Sequence, residues 1–138
     1  VYQCNLKDLN VYLRQDDQCI LRIGNDAGFY QSLILANEEL KNLLSVWLEH
    51  AIKIECFSED SVLRADLKLQ DKLYCYKELN GFQIEFEPND FSSGSYSYNF
   101  GIFVGAGKSS TYLHITKKDN LQLIVALQVW LKEISNAS

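Results

Sequence analysis

KKDNLQLIVALQVWLKEI, residues 117–134, is the stretch from which the fold of this chain can be read. Leu123, Leu127, Trp130, Leu131 and Ile134 recur at helical spacing, which predicts one helix of about five turns. A second set, Leu121, Ile124, Val125 and Val129, widens the apolar stripe beyond the usual core-facing arc. Thr116 and Asp119 stand at capping-box spacing, and an acid in the first turn suits the helix dipole. So wide an apolar face calls for cover on two sides. A sheet and another element could supply it, or a sheet and a second copy of the chain, so a homodimer through this helix is one expectation.

Upstream of this helix the period changes from 3.6 to 2. Thr111, Leu113 and Ile115 line a last strand, and Tyr96, Tyr98, Phe100, Ile102 and Val104 line the strand before it. Between them stands Gly105-Ala106-Gly107-Lys108-Ser109-Ser110, which ends like a phosphate-binding loop. The first glycine of that pattern would fall at position 102, which is Ile, and the run STYLHIT after it alternates like a strand instead of opening a helix. A glycine-rich hairpin is the better reading. Asn80-Gly81 between two alternating runs predicts a two-residue hairpin, pairing Leu79 with Phe82, Tyr76 with Glu85 and Cys75 with Phe86. Pro88 should end the second of those strands by removing a ladder donor. Leu63, Ala65, Leu67 and Leu69 predict a further strand ahead of the hairpin.

The first half has the same character. Leu9, Val11 and Leu13 alternate with polar partners, QDDQ breaks the run at 15–18, and Cys19, Leu21 and Ile23 resume it. Gly24 to Gly28 reads as a turn, and 29–35 as a third strand. Asn37 caps a helix over 38–51 whose stripe is Leu40, Leu43, Leu44, Trp47, Leu48 and Ala51. The chain is therefore expected to be α+β and one domain over 1–138, with two antiparallel meanders and two main helices packed on the sheet. Each meander leads through a cap into a helix with Trp near its end, Val46-Trp47-Leu48 and Val129-Trp130-Leu131, which suggests an internal duplication of 1–54 in 61–138. In arrangement this resembles the Whirly-type fold. There, two units of four strands and a helix combine, and single-stranded nucleic acid binds the sheet edges.

Composition narrows the function classes. The chain is 47% hydrophobic and 22% charged, a globular balance, and its formal charge of −5 opposes simple docking on phosphate or an anionic membrane. No run approaches the roughly 18 apolar residues of a spanning helix. Nothing reads as a signal peptide, so a cytoplasmic protein is expected. Secretion stays open, because the chain begins at Val1 without methionine. Cys4, Cys19, Cys56 and Cys75 form no CxxC pair and meet only two histidines, so no metal or other cofactor is expected. Buried free thiols are the first reading of these cysteines and disulfides the second.

The sheet face opposite the apolar rows carries the functional expectation. With Phe82, Ile84, Phe86, Phe100 and Ile102 turned inward, the other face presents Tyr74, Tyr76, Glu78, Glu85, Glu87, Phe103, Tyr112 and His114. Tyrosine is favoured at interfaces because it buries a ring and keeps a polar tip satisfied, and carboxylates among the rings select a basic partner. Lys77 falls on the inward face and breaks the pattern. The expected function is non-enzymatic protein binding, in the manner of an inhibitor or immunity protein that neutralises a basic partner. Two alternatives stand beside it. The aromatic sheet could stack single-stranded nucleic acid, or His114 with Glu85 or Glu87 could serve a small hydrolase-like enzyme. His50 is expected on the polar side of its helix beside Glu49.

Overall fold

The computed structural model describes residues 9–13, 18–24, 30–59, 73–79, 81–91, 95–104 and 109–137. Strands β1 (Leu9–Leu13), β2 (Gln18–Gly24) and β3 (Tyr30–Ala36) form one antiparallel sheet in chain order, followed at once by helix α1 (Asn37–Glu59). Strands β4 (Cys75–Leu79), β5 (Phe82–Asp90), β6 (Ser97–Val104) and β7 (Ser109–Thr116) form a second, again in chain order, and β7 runs directly into helix α2 (Lys117–Ala137). The protein is α+β, and its plan of meander then helix occurs twice. The first sheet has three strands among the described residues, where the Whirly-type arrangement would have four. The predicted strand over 63–69, the turn at 25–28 and residues 105–108 of the glycine-rich hairpin lie outside the described residues.

Local chemistry sets the registers. Gly81 has φ 87°, the left-handed conformation that glycine adopts without strain, and the ladder pairs Leu79 with Phe82, Tyr76 with Glu85 and Cys75 with Phe86. Leu13 pairs with Cys19 around the QDDQ break. Pro88 does not end β5: it pairs with Tyr98, and the register shifts between Pro88 and Asp90. Among the described residues β4 pairs with β5 only as far as Phe86 and nothing else pairs with β5 on that side beyond it, and proline is tolerated where no ladder partner needs its donor. The residues after Lys108 are strand, as their alternation predicts.

Both helices start straight from a strand. The amide of Asp119 donates to Thr116 Oγ1 at 3.4 Å, and the Thr116 hydroxyl donates to Asp119 Oδ2 at 3.1 Å. At α1 the Ala36 amide donates to Glu39 Oε1 at 3.2 Å, so an acid three residues in reaches back, as in a capping box. Helix α1 runs two turns past the expected end at 51, because Ile54 and Phe57 continue the buried stripe.

The core is one cluster drawn from both halves, from Leu21, Leu33 and Leu35 to Leu123, Leu127, Trp130 and Ile134. Helix α1 does not serve its own sheet alone. Trp47 stacks on Phe100 of β6 with centroids 3.8 Å apart, and His50 stacks on Phe86 of β5 at 4.2 Å. His50 is therefore buried, only 7% exposed, contrary to the expectation of a polar-side residue. Its Nε2 donates to the Leu73 carbonyl at 2.9 Å. Loss of hydration on burial dominates, with the charge of Lys53 adding to it against the carbonyl bond, and the ring's pKa falls to about 4.

A buried polar knot ties the halves together. Asn120 of α2 donates from Nδ2 to the Ala51 carbonyl of α1 at 3.1 Å and to the Tyr96 hydroxyl at 2.7 Å. Its Oδ1 accepts from Tyr98 at 2.5 Å, and Tyr96 in turn donates to Glu55 Oε2 at 2.5 Å. Burial raises the pKa of both tyrosines, so they stay neutral donors.

The double-width stripe of α2 resolves into two faces. Leu123, Ala126, Leu127, Trp130 and Ile134 are buried, whereas Leu121, Val125 and Val129 lie exposed along the helix. Cys56 is exposed and Cys75 half-buried, both as free thiols, which corrects the expectation of burial for Cys56. Lys77, on the inward side of β4 opposite Ile84, still reaches water, as a long aliphatic stem permits.

Candidate functional site

The second sheet turns Phe82, Ile84, Phe86, Tyr98, Phe100, Ile102, Leu113 and Ile115 inward, all of them buried. A period of two then sends the intervening residues to the other face. Two cross-strand rows there are fixed by the register. Tyr76, Glu85, Gly101 and Tyr112 form one, and Glu87, Asn99 and His114 form the next. Phe103 stands opposite Gln83, one row along on the other side, where Glu78 also pairs with Gln83. Tyr74 precedes β4, and its hydroxyl reaches Glu85. All eight residues expected on this face are thus brought to one side of one sheet. Tyr74, Tyr76 and Tyr112 are 45%, 55% and 43% exposed.

The face has internal order. Tyr74 donates to Glu85 Oε2 at 2.6 Å. That bond, more than any other effect, pushes the Tyr74 pKa up to about 12, because losing the proton would set a phenolate against a carboxylate. Tyr112 is raised as well, by burial first and then by the charges of Glu85 and Glu87. Phe103 meets the Tyr112 ring edge-on, with centroids 5.6 Å apart and planes at 84°. Gly101 lies under Tyr112: a Cβ there would come within 2.8 Å of Tyr112 Cε1 and 3.0 Å of Cδ1. The ring can rest on the β6 backbone only because position 101 has no side chain.

His114 is exposed, and its Nδ1 donates to Asn99 Oδ1 at 3.0 Å. Strand order therefore sets an amide between His114 and Glu87, the carboxylate in its row, and Glu85 lies in the neighbouring row. Among the described residues no three His, Cys, Asp or Glu side chains come together to hold a metal ion, and no helix is long and apolar enough to cross a membrane.

Sequence reasoning missed Asn99 and Gly101. Asn99 could have been found from the strand period, since it alternates with Tyr98 and Phe100. The role of Gly101 depends on which residue stands opposite it, and that signal is absent from one strand read alone. A scan against protein-family models and a search of curated proteins both find no match to this chain.

Proposed function

We propose that this protein is a non-enzymatic binding protein that receives a basic protein partner on the outer face of β4–β7, in the manner of an inhibitor or immunity protein. The observation that carries the reading is the exposure of Tyr74, Tyr76 and Tyr112 on the face that also bears Glu78, Glu85 and Glu87. Rings of this kind give contact area at small entropic cost, and the carboxylates between them favour a cationic surface and repel an acidic one. The net charge of −5 acts in the same sense at longer range. The test is affinity capture followed by mass spectrometry, run beside the Tyr76→Ala/Glu85→Ala double variant. One basic protein retained by the wild type and lost from the variant supports the reading. An identical set of captured proteins from both would refute it.

Single-stranded nucleic acid is the second reading. It is favoured by the twofold plan of meander and helix, and by the exposed rings of Tyr74, Tyr76 and Tyr112 on the sheet, on which bases could stack. Against it stand three carboxylates on the face, since affinity for phosphate rests on cations. Polarisation of a labelled oligonucleotide over a salt series separates the two readings.

The stripe of Leu121, Val125 and Val129 supports a homodimer through α2, which light scattering would read as the mass of two chains. We take 1–138 as one domain, because α1 of the first half packs on the sheet of the second, and we propose a cytoplasmic location, with secretion as the alternative.

A further inference from the structure

The row Tyr76, Glu85, Gly101, Tyr112 crosses four adjacent strands in register. Tyr112 and Glu85 start two strands apart, about 10 Å. The Tyr112 ring reaches over Gly101, on the strand between them. Cδ1 and Cε1 of the ring occupy the space over the glycine, the ring stands perpendicular to Phe103, and the tyrosine is left 43% exposed. Glu85 stands next in the same row, and Tyr74 orients its carboxylate through Oε2. Among the described residues no donor reaches Oε1. Glu87 stands one row along.

An accessible aromatic surface next to a carboxylate with a free lone-pair edge has a defined complement. Guanidinium is planar, carries its charge over a flat surface that stacks on a ring, and offers a fork of N–H donors in the same plane. Ammonium is a compact, strongly hydrated charge that gains less from such a ring. Neutral side chains lack the charge that the carboxylates attract, and acidic ones are repelled by them. We infer that Tyr112 and Glu85 form a seat for an arginine side chain presented by an extended basic segment of a protein partner. This rests on the reading of the face as a site for a basic protein, and it names the chemistry by which that partner is recognised.

The probe is a fluorescein-labelled ten-residue peptide alternating arginine and serine, titrated by polarisation at near-physiological salt. Its controls carry lysine or citrulline in place of arginine. The arginine peptide should bind at least about tenfold more tightly than the lysine peptide, and the citrulline peptide should not bind. Tyr112→Leu and Glu85→Gln should each weaken the arginine peptide about tenfold, and Tyr112→Phe should retain it. Glu49→Gln removes one exposed charge from α1 and should leave binding unchanged. Equal affinity for lysine and arginine, or an equal loss from Glu49→Gln, would overturn the seat and leave only general charge attraction. A single-stranded oligonucleotide that displaces the peptide and itself depends on Tyr112 would overturn it too, by making the ring a base platform. If Tyr112→Leu leaves peptide binding intact while Tyr76→Ala/Glu85→Ala still abolishes partner capture, the seat is wrong and the broader reading survives. If neither measurement responds, both fall.

Discussion

Asn120→Leu tests whether the polar knot between the two halves holds the fold together. The substitution keeps the side chain close in size, so the cost is polar more than steric. It leaves the fully buried Tyr98 hydroxyl without its acceptor, which costs about 1–3 kcal/mol. The bonds from Nδ2 to Ala51 O and to the Tyr96 hydroxyl go as well, at about 0.5–1.5 kcal/mol each. Ala51 O keeps a helical lone-pair partner and Tyr96 keeps Glu55, so neither of those groups is orphaned. The sum is about 2–6 kcal/mol, centred near 4 kcal/mol. For 138 residues at about 2.1 cal/mol/K per residue, a loss of about 4 kcal/mol lowers Tm by about 14 °C, read by circular dichroism melts. Tyr98→Phe alone should cost about 1–2 kcal/mol, because Asn120 Oδ1 then lacks its donor. The double variant is the sharper measurement. Removing both partners removes the orphan, so it should be more stable than the sum of the single variants by about 1–2 kcal/mol. Strict additivity, or an Asn120→Leu melt within about 3 °C of the wild type, would refute the reasoning.

His50, neutral at a pKa of about 4 in the fold against 6.5 when unfolded, contributes stability that is whole above about pH 6.5 and is lost as pH falls toward 4. The loss should reach about 3 kcal/mol in urea melts taken across that range, and His50→Gln should flatten the profile. Gly101→Ala should move overall stability by no more than about 1 kcal/mol, since the tyrosine that must give way is half exposed. The same substitution should lift the Tyr112 ring, visible as a changed Tyr112–Phe103 cross-peak by NMR. Glu85→Gln should bring the titration of Tyr74 down from about 12 toward the ordinary value near 10, tracked by phenolate absorbance. Trp47→Ala, which removes the ring stacked on Phe100, should cost about 3–5 kcal/mol in a denaturant melt.

Much of the candidate face was legible in advance because it depends on local rules. A period of two divides each strand into sides, and Asn80-Gly81 fixes how β4 lies on β5, so Tyr76 had to meet Glu85. The remaining rows come from a simple meander, in which each strand pairs with the next. Tyr74 bonded to Glu85, His114 turned to bond Asn99, and Gly101 yielding its space to Tyr112 are relations between strands. They depend on side-chain directions that pairing alone leaves free.

By itself the sequence determined the two meanders, the two helices, where each helix begins and which strand residues share a side. Those features arise from hydrophobic period, turn chemistry and caps, all of which act within a few residues. Tertiary structure alone decided which helix covers which sheet, and with it the fate of several side chains. His50 is buried because α1 lies across β5 and β6, and Asn120 is buried because Tyr96, Tyr98 and Ala51 converge on it. Of the two apolar stripes on α2, the one led by Leu123, Leu127 and Trp130 met the core, and from the second Ile124 packs against it while Leu121, Val125 and Val129 stay exposed. A helix advertises its apolar surface in its own period, but which part is covered depends on partners far away in the chain.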